Sequence, residues 1–348
     1  MKTTGRIANC EFLSASLSLG LIFIALGGFA GTQLLSVTVY CSVDEVYARP
    51  ILQAFQKKTG VRVDWVFDVE ATKTAGLVAK LISEKNHPRA DVFWSGEVSR
   101  TLVLKQKGVL QPYLSPVAKD IPATVKDRAG YWTGLAPRAR VIGYNTKLVR
   151  PADAPRSLND LTNPKWRGLV AISDPRFGTA SAWAAALFVA WGEKKAMKFF
   201  EDLKNNDVKV LPGNSVVADQ IARGEILVGV TDTDDVWTRK LDGKPIDMVY
   251  PDQRKSEIGT LVIPNSVALI RGARHPEEGK KLIDYLLSAE VEAALARSRA
   301  RQMPIRSSVP VPKGATKLND VTAMRVDWDK VADALPRMEE RLKSLLRF

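Results

Sequence analysis

The chain has 348 residues, 45% apolar and 26% charged, the composition of a soluble globular protein with room for two lobes of ordinary domain size. Lys and Arg number 51 against 38 Asp and Glu, a net charge of +13, but they are spread over many segments with no zinc-finger or RNP-type signature; this argues against nucleic acid and for a field that favours anionic solutes or an acidic docking partner. With two His and two Cys in all, neither His-based catalysis nor a Cys/His metal cluster has the residues it needs.

The N-terminus reads as a targeting segment. Lys2 and Arg6 precede an uncharged apolar run from Phe12 to Phe29, and Gly28-Phe-Ala30 supplies the small residues a signal peptidase reads. The run is short for a spanning helix, which needs about 20 residues, and no basic stop-transfer cluster follows. Residues 1–30 are therefore expected to be a signal peptide that directs export to the periplasm or beyond. Only Cys41 remains after cleavage, so no internal disulfide forms.

The first lobe is expected to begin with a strand at Val37–Tyr40. A helix through Arg49–Lys58 follows, closed by Gly60, and Val61–Phe67 alternates as a second strand. Thr72–Lys85 reads as a helix with Leu77, Val78, Leu81 and Ile82 on one face. A third strand at Ala90–Trp94 leads into a helix over Glu97–Lys107, stopped by Gly108. Tyr131–Asn145 then runs extended and is predicted to cross between lobes.

In the second lobe, strands are predicted at 168–173, 208–211, 226–231 and 246–250. Helices are predicted at Ser181–Trp191, Lys194–Lys204 and Val216–Arg223, with a break at Gly192. Gly259–Ile270 is a second long extended run that returns the chain to the first lobe. Helices between Pro276 and Arg299 and over Trp328–Leu346 close the chain, the last kinked or split at Pro336. The expected fold is α/β: two parallel or mixed sheets flanked by helices and joined by two strands. Residues 37–138 and 266–348 form one lobe and 139–265 the other.

Repeated strand-to-helix turns put small polar residues at one sheet edge, where ligands meet helix N-termini. Phe177-Gly-Thr-Ala-Ser181 and Pro212-Gly-Asn-Ser215 each precede a helix, which makes Thr179, Ala180, Ser181, Asn214 and Ser215 candidates for holding an oxyanion, with plain helix capping as the alternative. Arg138 and Arg140, two apart on an extended segment, share a face and offer a guanidinium pair to an anion or to structural carboxylates. Thr231-Asp-Thr-Asp-Asp235 carries three carboxylates within four residues, either a solvated helix cap or a site for a cation. Ser42, Asp44, Trp94 and Glu97 sit at strand ends on the opposite lobe. Asp44, Glu97, Asp234 and Asp235 are thus the candidate metal ligands, all hard oxygen donors. Phosphate-loop, nucleophile-elbow and zinc-protease motifs are absent from the sequence.

Val37-Thr-Val-Tyr-Cys-Ser, Phe55-Gln-Lys-Lys-Thr-Gly-Val, Pro88-Arg-Ala-Asp-Val-Phe-Trp and Arg138-Ala-Arg-Val-Ile-Gly-Tyr-Asn carry a resemblance that continues through Gly213-Asn-Ser-Val and His275-Pro-Glu-Glu-Gly-Lys-Lys-Leu. The chain resembles the extracellular solute-binding proteins of ABC importers, in their ferric-iron-binding branch. The resemblance implies a type II periplasmic-binding fold, a monomer without a resident cofactor that closes on a small charged solute and delivers it to an inner-membrane permease. Ferric members hold Fe(III) through a tyrosine pair, often with a His and a Glu, and a synergistic anion. By position the anion residues correspond to Thr179, Ala180, Asn214 and the Arg138/Arg140 strand. Glu97 lies within one residue of the carboxylate, and Asp44 falls where some members place His. The tyrosine pair is replaced by Thr233-Asp-Asp235. Fe(III) with an anion is therefore the first candidate cargo. A phosphonate or phosphorylated small molecule is the alternative, and an enzyme on the same bilobal scaffold is the reading from another class.

Overall fold

The computed structural model describes residues 35–68 and 74–346, so the expected signal peptide lies outside the described residues. The first part of the chain forms β1 (Ser36–Cys41), α1 (Glu45–Thr59), β2 (Arg62–Phe67), α2 (Ala75–Ser83), β3 (Val92–Ser95), α3 (Ser99–Gln106), the short β4 (Leu110–Gln111) and the long β5 (Thr133–Asn145). There follow β6 (Val170–Ser173), α4 (Gly178–Trp191), α5 (Glu193–Asn205), β7 (Lys209–Leu211), α6 (Asn214–Arg223), β8 (Val228–Asp232), α7 (Thr233–Leu241) and β9 (Ile246–Val249). The chain ends with β10 (Val262–Ile270), α8 (Pro276–Leu286), α9 (Ala289–Arg297) and α10 (Trp328–Leu346).

The strands run in the order β2-β1-β3-β10-β5-β8-β6-β7, with β4 against β10 and β9 against β5. β1 is parallel to β2 and β3, and β6 is parallel to β7 and β8, so each end of the array is a parallel sheet. Its centre is antiparallel. β5 pairs with β10 along its first half and with β8 and β9 along its second, which makes it the strand both sheets share. Residues Arg138 and Arg140 straddle the change of partner: Arg138 is opposite Ile263 of β10, and Arg140 is opposite Asp232 of β8. The register shifts between Ile263 and Asn265, where β5 carries one extra residue and Ala136 takes a positive φ of 38°. Such a bulge re-aims the side chains that follow it. The carbonyls it frees are taken up by Asn265 Nδ2, which donates to Ala136 O, and by the Met303 amide, which donates to Pro137 O.

Alternation along the strands sorts side chains between cores. Val37, Val39, Cys41, Val92 and Trp94 pack under α1, α8 and α9, whereas Tyr40 and Phe93 face α2 and α3. Trp94, expected near the ligand edge, is fully buried in the first of these cores, because its place in the alternation points it away from the cleft. Across β8, Gly229 lies opposite Gly143 of β5. A Cβ on Gly229 would come within 2.7 Å of the Ala171 carbonyl and 2.9 Å of Val217 Cγ1, so glycine here is what lets α6 seat directly on the sheet.

Helix α10 runs through Pro336 as one element rather than splitting there. The backbone bond Pro336 forgoes is offset by burial of Val331, Leu335, Met338 and Leu342. Grouped by sequence with the first lobe, α10 in fact packs on both α3 and α4. Gln106 donates to Asp333 Oδ1 from the α3 side, and Arg337 pairs with Glu193 at the start of α5.

Asp252, buried after β9 with a left-handed φ of 59°, has its Oδ2 without a hydrogen-bond partner among the described residues. Burial, reinforced by the nearby Glu257 charge, pushes its carboxyl up to about 6. The folded protein therefore holds this proton more tightly than the unfolded chain, and stability falls as pH rises from about 4 to about 6. Asp252→Asn, which suits the left-handed backbone equally well, is expected to remove that loss. Chemical denaturation should show a gain of about 1–3 kcal/mol at pH 8 and almost none at pH 4.

Candidate functional site

A cavity of about 280 Å³ lies along the C-terminal ends of β1, β3, β6, β7 and β8, the edge where open α/β sheets bind ligands. Ser42 and Asp44 line it after β1, Glu97 after β3, Thr179 after β6, Asn214 and Ser215 after β7, and Asp234 and Asp235 after β8; Arg138 reaches it from β5. The structure thus brings these nine of the sequence-predicted residues to one cavity. Trp94, Arg140, Ala180 and Ser181 do not line it.

The side of the cavity formed by the second sheet is built from helix starts. In α4 the first intrahelical bond runs from the Ser181 amide to Phe177 O, and in α6 from the Val217 amide to Gly213 O. The amides of residues 178–180 and 214–216 therefore precede the hydrogen-bonded helix and carry its positive end. Neither helix has a side-chain cap: the capping positions are Phe177 and Gly213, which have no acceptor to offer. Ser, Thr, Asn or Asp would ordinarily stand there. Gly178 adopts a φ of 52° with open space where a Cβ would be, so the turn into α4 presents bare backbone. Plain helix capping, the alternative reading of these two turns, does not describe them.

The two arginines separate. Arg138 is buried beside the cavity; its Nη2 donates to Asn265 Oδ1 at 2.8 Å and its Nε lies 3.3 Å from Asp234 Oδ2. Burial alone would weaken its charge, but Asp234, Asp232, Asp44 and Asp235 together raise its pKa above the usual arginine value. Arg140, only 1% exposed, sits behind the wall. Its Nη1 donates to Asp232 Oδ1 at 2.8 Å, to Asn214 Oδ1 at 2.7 Å and to Thr179 Oγ1 at 3.3 Å. The guanidinium lies 5.5 Å from the Trp183 ring centroid. The proposed pair of anion-gripping guanidinia is thus one residue at the cavity and one behind it, because the strand passes from the open edge into the core between them.

The acidic side also departs from expectation. Asp234 and Asp235 occupy the first turn of α7 rather than a solvated turn, and Asp232 ends β8. Ligand atoms of Asp232, Asp234 and Asp235 lie within 4.8 Å of one another. Burial and the neighbouring Asp234 and Asp232 charges drive the Asp235 carboxyl well above the ordinary carboxylate range. Asp232 is committed: beyond Arg140, its Oδ2 accepts from Thr179 Oγ1 at 2.5 Å and from Asn214 Nδ2 at 3.0 Å. Glu97 and Asp44 do not join this group. The Glu97 carboxylate turns back onto α3, accepting from the Ser99 amide at 2.6 Å and the Arg100 amide at 3.1 Å, so it serves that helix start and not a metal. Burial nonetheless raises its pKa. Asp44 stands at the start of α1, which begins a turn before the expected Arg49 and carries Pro50 in its second turn.

That earlier start places a residue sequence reasoning missed. Tyr47, three positions after Asp44 in the first turn of α1, lines the cavity, and its hydroxyl lies 3.1 Å from Thr238 Oγ1 of α7 across the opening. Asp174 and Arg239 also line the cavity unannounced, as does Asp232, named only as part of the acidic motif. The spacing Asp44-x-x-Tyr47 would have found the first, had the helix been started at Asp44.

The surroundings offer an oxyanion two uncapped helix starts and offer a cation a crowded group of carboxylates, with no nucleophile–base pair between them among the described residues. The sequence profile of the bacterial extracellular solute-binding proteins matches residues 88–334. The chain is similar to the iron uptake protein A1 of Synechocystis, 25% identical over 85% of this chain and 81% of that one. It is similar too to a Salmonella typhimurium periplasmic protein named for 2-aminoethylphosphonate binding, 28% identical over 81% and 82%. The solved structure of the periplasmic binding protein AfuA from Actinobacillus pleuropneumoniae, with exogenous fructose-6-phosphate bound, superimposes with a TM-score of 0.78 at 24% identity, covering 90% of this chain and 99% of that one. The chain belongs to the bacterial extracellular solute-binding protein family, a receptor that captures a solute and not an enzyme that transforms one.

Proposed function

We propose that this receptor serves an ABC importer from the periplasm, as an exported monomer, and captures a small zwitterion whose anionic head is of the phosphonate or phosphate class. The observation that carries the reading is the pairing of two uncapped helix starts with an acidic turn in one cavity of about 280 Å³. The head would accept hydrogen bonds from the first amides of α4 and α6. An ammonium at the other end would sit by Asp234 and Asp235, offsetting the burial and the neighbouring Asp234 and Asp232 charges that raise the Asp235 carboxyl. The two walls, joined through β5 and β10, would close on the solute by a hinge at the bulge beside Arg138.

Fe(III) with an anion is the second reading, favoured by the three clustered carboxylates. It stands behind the first because Asp232 already spends both oxygens on Arg140, Thr179 and Asn214, Arg138 lies beside Asp234, and no tyrosine pair supplies phenolates. Transported iron here would be cargo and not a resident cofactor.

Calorimetry on the mature protein with 2-aminoethylphosphonate, a hexose phosphate, and ferric iron plus phosphate separates these readings. The zwitterion is expected to bind at least tenfold more tightly than the hexose phosphate. Tightest binding of iron, or iron in the purified protein by elemental mass spectrometry, would overturn the zwitterion.

Binding of an ammonium should expel the Asp235 proton. Zwitterion affinity is therefore expected to rise with pH until Asp235 is ionised in the free protein and to level off above that point. Enthalpies measured in buffers of different ionisation heat would report the released proton. Asp235→Asn should abolish that release and weaken the zwitterion roughly tenfold, the scale of a charge-assisted hydrogen bond, without lowering the melting temperature of the ligand-free protein.

A further inference from the structure

The buried Arg140 has no route to the cavity, yet one of its nitrogens touches both helix starts that form the cavity's anionic half. Arg140 Nη1 reaches Thr179 Oγ1 on α4, Asn214 Oδ1 on α6 and Asp232 Oδ1 at the end of β8. Around that nitrogen the network closes on itself. Thr179 Oγ1 donates to Asp232 Oδ2 at 2.5 Å, and Asn214 Nδ2 donates to Asp232 Oδ2 at 3.0 Å and to Thr179 Oγ1 at 2.8 Å. Ser173 Oγ, from the end of β6, donates to Asn214 Oδ1, and Thr231 Oγ1 donates to Asn214 O at 2.9 Å.

We infer that Arg140 is a positioning residue for anion capture: through Asp232 it fixes the first turns of α4 and α6 relative to each other, so that their free amides converge on one oxyanion. The inference rests on the reading of these two helix starts as the anionic half of the site. Thr179, at the second position of α4, and Asn214, at the first of α6, carry side chains of the kind that bond to nearby backbone when nothing else engages them. The network holds both side chains away, leaving the amides to the solute. Arg140 Nε and Nη2 find no hydrogen-bond partner among the described residues. The Trp183 ring, 5.5 Å from the guanidinium carbon, receives the cation instead. Such a charge is costly to bury, and a role confined to stability would be served as well by an apolar pair. What an apolar pair does not supply is one nitrogen whose two N–H groups are shared among acceptors on two helices and a strand.

The test uses inorganic phosphate as an anion-only probe, read by affinity and by the amide resonances of Gly178, Thr179, Asn214 and Ser215 in the isotopically labelled full mature chain. In the native protein phosphate should shift these resonances together. The double variant Arg140→Met/Asp232→Asn removes both charges at once. It should fold, lose at least tenfold in phosphate affinity, and show separate, smaller shifts at α4 and α6. Thr179→Val, which keeps the shape and deletes the hydroxyl linking α4 to the network, should weaken phosphate severalfold even if the double variant does not fold. Native-like phosphate affinity in a folded double variant, or in Thr179→Val, would overturn the role of Arg140. No phosphate-dependent shift in the native protein would instead sink the anion-site reading itself, and the inference with it.

Discussion

The contact between Arg140 and Asp232 joins three things that would otherwise be independent: a strand, a pair of helix starts and a charge balance. β5 and β8 meet at this pair in register, so the ion pair forms at the point where β5 leaves one sheet for the other. Both side chains are essentially out of water, where an unpaired charge is far more costly than a well-made pair. Neither partner is dispensable alone. Because Asp232 also accepts from Thr179 and Asn214, the helices that begin with those residues cannot shift without disturbing the charge pair.

The fold was largely legible in the sequence, and the reason is periodic burial. Strands such as 37–40 and 168–173 announce themselves by apolar runs, and Gly60 and Gly108, expected to end helices, do so with φ values of 72° and 68°. Helix starts were less legible: α2 and α3 begin three and two residues after the expected Thr72 and Glu97, and three others begin early. α1, α4 and α6 begin two to four residues before the predicted positions, and Asp234 and Asp235 fall inside α7 instead of on a turn. Ser, Thr, Asn and Asp favour turns because their side chains compete for nearby backbone groups. Here those side chains bond across to other elements, and the helix claims their backbone. Sequence therefore found the right edge of the sheet and most of the residues that line the cavity there, but not where their helices begin.

Arg140 and Glu97 show how far the strand pattern reaches. The sequence offers Arg140, two residues from Arg138 on an extended segment, to an anion or to structural carboxylates, and Glu97, after a strand, to a ligand or metal. Burial decides both: Arg140 is consumed by a network behind the wall, and Glu97 by the first amides of α3. A strand's alternation tells which face a side chain takes, but not how deep along the strand the open edge gives way to core. On β5 that transition falls within two residues, between Arg138 and Arg140.

The ligand-free cavity is electrostatically divided, and the division bears on selectivity. One wall presents helix amides with no side-chain cap; the other presents carboxylates that repel one another, offset in part by Arg138 beside Asp234 and Arg239 beside Asp235. A bare anion satisfies the first wall and leaves the second under strain. A bare cation does the reverse, and must in addition displace hydrogen bonds already made to Asp232. A solute carrying both charges on a short frame meets both walls at once, and each half discriminates against partners lacking the other, since a buried polar group left unpaired costs more than the same group paired gains. Tyr47 and Thr238, which meet across the opening, set the room available to that frame. On the proposed reading, selectivity in this receptor would come from the spacing between two opposite charges, a quantity set by the sheet through β5, β8 and the helix starts seated on them.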